Sequence, residues 1–560
     1  MIFDIRQAVS RRRAAASAGI ACLALLTLLT TSPAAARPPL DNTLRPAAVP
    51  VVPVPPASPA DVRPVTAAEQ RVDARLRGIQ GRPATLRAFF QALPKGGDLA
   101  GDLPGAVSTD FLLGLAQSDG LCVDKATLTA VDPPCAAGTR PAAQARTDRA
   151  FHDAIVRAWS MQDFPAPQPA ESKRSGRPRQ SGDPERSGRD HFFGAFRKFG
   201  EVARRHRGAM AAAVADDLAR QNQLYLETMV TPASGGTAAL AKDVGWDDDL
   251  ARLRGKLLAG GRMDALVDQA RAEADAADEE FRATGHCGTA QAAPGCGVTV
   301  RWIAQVPRGG TPQQVFTQMA LGMQLAQRDP RFVAVDLTQP EDGAVALRDY
   351  RLQMRMLDYL HGVYPRAHIT LHAGELVPGL DRPEDLTFHI HDAVLTGHAE
   401  RVGGGVDLTH ETGWQALART MAQRHIAVEV PFTADARLLG VKAADHPFRT
   451  YRAYGVPVVL ATDAPGVSRT DITQEYEYAA VTYGLTYPQL KDLARASLEY
   501  AFLPGHSLWR TPGRFTEAAA PCTLGKPSVP CGLFLADNPK AALQWQQELA
   551  FAAFERTHNA

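Results

Sequence analysis

An excess of charge of either sign is missing from this sequence, in which 61 lysines and arginines face 60 aspartates and glutamates. That balance argues against nucleic acid or an anionic membrane as the main partner. Cysteine is scarce, seven in 560 residues, and no two stand in the tight C-x-x-C spacing of a zinc cluster. No Gly-rich phosphate loop opens a helical segment, which counts against a nucleotide-cofactor domain. Beyond the N-terminus no apolar run is a convincing membrane span. What is present is ordinary for a globular protein: 45% hydrophobic residues, enough for a sizeable core. The length suits one large domain with insertions, or two or three smaller ones.

The N-terminus reads as an address rather than as part of the fold. Arg11, Arg12 and Arg13 precede an apolar run over residues 14–29, and Ser32-Pro33-Ala34-Ala35-Ala36 offers a small-residue cleavage site. This is the three-part layout of a secretory signal peptide over residues 1–36. A transmembrane anchor is the alternative, but the run is shorter than the roughly 20 residues a span needs. The expectation is an exported protein, periplasmic or secreted, with no membrane attachment after cleavage. The later cysteines fit an oxidising compartment, falling as local pairs: Cys122 with Cys135, Cys287 with Cys296, and Cys522 with Cys531. Each pair brackets a Gly- or Pro-containing loop, as short disulfide-closed loops do; a metal cluster is the competing reading.

Residues 37–64 are rich in Pro, Ala and Val without periodicity and read as an extended linker. Residues 165–190 are dominated by Pro, Ser, Gly, Arg and Lys. They read as a solvated, low-order insertion, with a nucleic-acid patch as the alternative. Elsewhere helical and strand signals alternate. Residues 65–80 predict a helix on Val72, Leu76 and Ile79, broken at Gly81-Arg82-Pro83, and a second short helix carries Leu86, Phe89 and Phe90. Short strands are predicted at 332–337, 368–372, 401–403, 426–430 and 456–462, with helices at 343–360 and 388–396. Repeated strand–helix units imply a parallel sheet covered by helices. Polar residues at several strand ends suit an α/β (β/α)8 barrel, whose functional face lies there; an open doubly wound sheet is the alternative.

Two strand ends carry chemistry. His372-Ala373-Gly374-Glu375 places an imidazole at a barrel mouth, and a turn at Gly374 lets Glu375 approach the same space. Val458-Val459-Leu460-Ala461-Thr462-Asp463 delivers a second acid, which would otherwise serve as a helix N-cap. Further segments extend the pattern: Leu93-Pro94-Lys95-Gly96-Gly97-Asp98-Leu99, Gln221-Asn222-Gln223-Leu224-Tyr225-Leu226-Glu227, Pro340-Glu341-Asp342, Gly397-His398-Ala399-Glu400-Arg401-Val402-Gly403 and Ser497-Leu498-Glu499-Tyr500-Ala501-Phe502. Together they resemble the adenosine deaminase family, and within it the secreted adenosine deaminase-related growth factors and their bacterial relatives. The resemblance runs from about Leu86 to Trp509.

The resemblance implies a (β/α)8 barrel over residues 65–545 with an N-terminal helical extension and disulfide-pinned loops, then a tail over 546–560. In that family a zinc-bound hydroxide attacks C6 of a purine. The zinc sits on an H-x-H of the first strand, the His of H-A-G-E and the first Asp of T-D-D. The Glu of H-A-G-E protonates N1, and a G-H-G histidine and the second Asp orient the water. His372, Glu375 and Asp463 match this pattern. The H-x-H reads Ala100-Gly101-Asp102, the G-H-G reads Gly403-Gly404-Gly405, and the T-D-D reads Thr462-Asp463-Ala464. Asp102 is the candidate replacement ligand, giving an oxygen-rich site with His372 and Asp463 that binds zinc weakly if at all. His389-Ile390-His391 has H-x-H letters but falls in a predicted helix, where residues two apart diverge. His398 reads as structural.

Zinc lowers the pKa of bound water from about 15.7 to about 7, on the order of 12 kcal/mol of easier hydroxide formation. A general base contributes roughly 3–5 kcal/mol. The expectation is therefore a catalytically impaired homologue that still takes a purine nucleoside, with Glu375 and nearby backbone groups reading the base. A working deaminase with a rearranged metal site is the second reading. A growth-factor-like interaction module, homodimeric through its N-terminal helices, is the third.

Overall fold

The structure, a computed structural model, describes residues 63–164 and 184–558. The signal-peptide and linker readings over residues 1–62, and residues 165–183 of the insertion, lie outside the described residues.

Eight short strands carry the architecture: β1 (Gly96–Asp102), β2 (Gln223–Val230), β3 (Thr299–Pro307), β4 (Phe332–Thr338), β5 (His368–Ala373), β6 (Arg401–Gly404), β7 (Ala427–Val430) and β8 (Val458–Leu460). They pair in sequence order, each parallel to the next. Parallel neighbours need a crossover, and helices supply it. The result is a nearly closed (β/α)8 barrel. Past the last strand the Asp102 N–H donates to the Asp463 carbonyl at 3.0 Å, bridging its first and last members at the C-terminal end. The open-sheet alternative is thereby set aside. The strands predicted at 332–337, 368–372, 401–403, 426–430 and 456–462 all form. β2 and β3 were not read as strands from the sequence. Both interleave polar residues such as Glu227, Arg301 and Gln305, which dilute the apolar run expected of a buried parallel strand.

Two helices precede β1: α1 (Ala67–Ile79), opened by a Thr66–Glu69 capping box, and α2 (Pro83–Ala92), with Pro at its first turn. Their apolar faces, Val72, Leu76, Ile79, Leu86, Phe89 and Phe90, are buried as the spacing implies. Two boundaries need correction. The low-order insertion does not extend to residue 190, because α3 (Pro184–Ala203) begins inside it and buries Arg189. Residues 546–560 are not a tail: after α4 (Ala344–Val363), α5 (His389–Leu395) and α6 (Tyr487–Glu499), α7 (Pro539–Thr557) runs through that boundary. It buries Phe551 and Phe554, and Phe554 lies 5.1 Å from Phe89. Packing against the N-terminal helices, which a local composition reading does not register, holds it.

All three cysteine pairs are bonded as expected. Among the described residues no helix is long and apolar enough to cross a membrane. The barrel interior is polar at its floor. Arg401 of β6, 1% exposed, lies between Glu227 (2.6 Å) and Glu429 (2.5 Å), with its guanidinium 3.9 Å over the Phe502 ring. Such a charge is tolerated in a core only when paired.

Candidate active site at the barrel mouth

The mouth is built from strand ends. His372 near the end of β5 is gripped by Asp336 of β4. The Asp336 carboxylate accepts the His372 backbone N–H at 3.0 Å and meets Nδ1 at 2.6 Å. Arg308, just past β3, donates to the His372 carbonyl at 2.6 Å. The other ring nitrogen, Nε2, stands 3.9 Å from Asp463 Oδ1. Burial opposes a charged imidazole, yet Asp336 raises the His372 pKa well above its usual range.

Gly374 then turns the chain with φ +78°; a Cβ there would lie 2.5 Å from Asp407 Oδ1 and 2.7 Å from Ile390. Only glycine fits. Glu341 receives the Gly374 and Glu375 N–H groups at 3.2 and 2.7 Å and meets His389 Nδ1 at 2.6 Å. Burial alone would raise its pKa, but His389 and Arg308 hold it at about 2. Arg189, brought in by α3, donates to the Glu375 carbonyl at 3.2 Å and faces Asp342 at 3.4 Å and Asp381 at 3.8 Å. Glu375 is therefore fixed by its backbone, and burial pushes its carboxyl pKa up.

The positions where the resemblance marks departures are each put to structural use. Gly404 has φ +82°, and a Cβ on it would come within 2.7 Å of Glu375 Cγ. The Glu375 side chain thus occupies the space a residue at 404 would need. Ala464 is fully buried, and a Cβ on Gly105 would lie 2.7 Å from its methyl. Ala100 is buried on β1. Asp102 caps the short helix Leu103–Ala106 through Oδ1, which accepts the Gly105 N–H at 3.0 Å, and Oδ2 lies 3.4 Å from Gln305 Nε2. Burial raises Asp102 to about 6 and Asp463 well above the carboxylate range. Asp463 also holds a left-handed φ of +57°, a strained conformation for a non-glycine residue.

His372, Glu375, Asp463 and Asp102 do gather at one end of the barrel, as expected. They do not fit zinc of the family kind. Only one imidazole is offered, its Nε2 facing Asp463, and Asp102 commits an oxygen to its own helix cap. Among the described residues no group of three or more His, Cys, Asp or Glu is arranged to hold a metal. His389 and His391 lie on α5 and diverge, one buried on Glu341, the other half-exposed beside Asp392. His398 bonds Asp358 at 2.8 Å, far from the mouth in role. Sequence reasoning missed Asp336, Arg308 and Arg189 as site residues. An acid inside the apolar run 332–337 was the available signal for the first. Arg189 had none, being one cation among many in a biased segment.

The adenosine deaminase family model matches residues 191–508, more than half of the chain. This chain belongs to the adenosine deaminase family. Among curated relatives, the adenosine deaminase of Salmonella typhi is 37% identical over 137 residues, and that of Salmonella newport 36% over the same length. Each alignment takes in 24% of this chain and 38% of the relative, so the chain spans well under half the length of the curated deaminases it matches. Solved structures similar to it include an Arabidopsis N6-mAMP deaminase (20% identity, TM-score 0.45, 74% of this chain and 96% of that one). Another is an amidohydrolase from Burkholderia ambifaria with bound Zn (17%, 0.47, 90% and 99%). At these identities the likeness concerns the fold.

Proposed function

We propose that this deaminase-family barrel is an exported protein that binds a purine nucleoside at its mouth and has lost most of its hydrolytic capacity. One observation carries the reading: the positions that would complete a metal and water site are filled by groups with other work. Glu375 fills the space beside Gly404, Asp102 caps a helix, and Ala464 packs against Gly105. Refilling those positions costs packing, so the site is adapted to their absence. What survives is suited to holding a heterocycle. Burial raises the Glu375 carboxyl pKa, which favours the protonated form that can donate to a ring nitrogen, and the His372–Asp336 pair offers a second donor beside it. Three disulfides support the exported reading, since such bonds persist in oxidising compartments.

The test is inosine formation from adenosine by the purified protein, with and without added zinc, paired with calorimetric titration of purine riboside. Binding without turnover, weakened by Glu375→Ala, is the expected result. Zinc-dependent turnover abolished by Glu375→Ala would overturn the impairment and assign Asp102 as a working ligand. Absence of purine binding would overturn the ligand and leave the growth-factor-like, dimeric role to be examined by sedimentation.

A further inference from the structure

The chain departs furthest from plain strand–helix alternation between β1 and β2, where residues 103–222 form an insertion beyond the C-terminal end of β1. A parallel crossover needs only about a dozen residues. The insertion meets the mouth on the loops after β5, β7 and β8, the first and last of which carry Glu375 and Asp463. The Met161 N–H donates to the Val467 carbonyl at 2.8 Å, just past Asp463. A Cβ on Gly188 would lie 3.5 Å from the Arg437 carbonyl, past β7. The next residue, Arg189, donates to the Glu375 carbonyl at 3.2 Å. Local contacts set where this part of α3 stands. His191 Nε2 donates to the Arg157 and Ser160 carbonyls at 3.0 Å each, and its ring stacks on Phe164 at 4.6 Å. The segments bearing Met161 and Arg189 are thus tied to each other as well as to the mouth.

Glu375 is gripped along its main chain from two sides. Glu341 takes its N–H at 2.7 Å from the barrel side, and Arg189 holds its carbonyl from the insertion side. Both partners carry charge, and hydrogen bonds to charged groups are the stronger kind. Together they fix the peptide planes from which the Glu375 carboxyl projects. Arg189 itself is 4% exposed, with Nε and Nη1 buried, so it does not reach a ligand. Asp342 at 3.4 Å and Asp381 at 3.8 Å stand beside it at ion-pair distance and compensate its buried charge. Its route to the mouth runs through Glu375.

We propose that Arg189 is a positioning residue of the mouth: reaching in from the insertion, it fixes the main chain of Glu375, so that order in the insertion and ligand affinity at Glu375 are coupled. The ligand part rests on the purine-binding reading of the mouth. Such coupling is reciprocal. A ligand held by Glu375 steadies the start of α3, and loosening α3 weakens the ligand.

Hydrogen exchange of the full chain without ligand tests the positioning role. Arg189→Met keeps the apolar stem and removes the donor. It is expected to speed exchange about tenfold over residues 372–377 and at the start of α3, while α7 exchanges as in the parent. Unchanged exchange over residues 372–377, or an equal rise in α7, would overturn the role. Arg189→Lys keeps the charge beside Asp342 and Asp381 and a single donor, and is expected to recover part of the protection. Titration with purine riboside then tests the coupling. Arg189→Met is expected to weaken binding about tenfold in the parent but by less than about twofold in the Glu375→Ala background. Purine riboside is expected to slow exchange at the start of α3 in the parent and not in Arg189→Met. Equal weakening in both backgrounds would show that Arg189 does not act through Glu375. Absence of purine binding by the parent would overturn the ligand, and the exchange comparison would still decide whether Arg189 holds Glu375.

Discussion

Placing an alanine at residue 404 tests the coupling at the mouth most directly. Gly404 sits at φ +82°, where an L-residue pays about 1–2 kcal/mol. Its new Cβ would stand 2.7 Å from Glu375 Cγ and 3.2 Å from Oε1, both inside normal contact distance. Overpacking of that kind costs about 1–3 kcal/mol, and the loss of glycine's freedom in the unfolded chain returns about 0.4–1 kcal/mol. Gly404→Ala is therefore expected to destabilise the protein by about 2–4 kcal/mol, read as a lower urea midpoint at unchanged slope. Glu375→Ala removes the obstructing atoms. In that background the same change at 404 should cost only its backbone share, about 1 kcal/mol, leaving a coupling of about 1–3 kcal/mol. Additivity within about 0.5 kcal/mol would refute the claim that Glu375 fills the space at 404. A loss of purine affinity in Gly404→Ala, without loss in an equally destabilised distant variant, would tie that packing to the ligand.

Two further outcomes follow from the buried charges. Arg401→Met leaves Glu227 and Glu429 buried without their shared cation and should cost about 3–5 kcal/mol, read from urea unfolding of variant and parent. Glu69 is buried, which disfavours its charge, yet the Arg63 and Lys491 pairs lower its pKa from 4.5 to about 2. Its folded pKa lies below the unfolded value, so it contributes stability above pH 4.5 that is lost as pH falls toward about 2. Glu69→Gln should remove on the order of 3 kcal/mol at neutral pH, and denaturation curves of variant and parent should converge near pH 2. A gap that persists in acid would show that packing, not charge, sets the contribution.

Much of the scaffold was legible because its signals are local. Five apolar runs became strands, the spacing of Val72, Leu76 and Ile79 became a buried helix face, and six cysteines paired across short loops. The H-A-G-E segment lies at a strand end, and Gly374 turns there with positive φ. The failures were non-local. β2 and β3 escaped because inward-facing Glu227 and its neighbours are paired to residues far along the chain. Residues 184–190 looked solvated by composition, yet Arg189 is buried against Glu375, Asp342 and Asp381.

By itself the sequence determined a repeating strand–helix chain, its cysteine pairs and the residues standing at two strand ends. Periodicity and turn chemistry are written in neighbouring residues, so they survive without knowledge of the fold. Only the tertiary structure decided that Asp336 grips His372 and that Glu375 fills the place beside Gly404. Those meetings join residues tens of positions apart. They depend on strand register and on which way each side chain leaves the barrel wall, which barrel closure sets and no local pattern records.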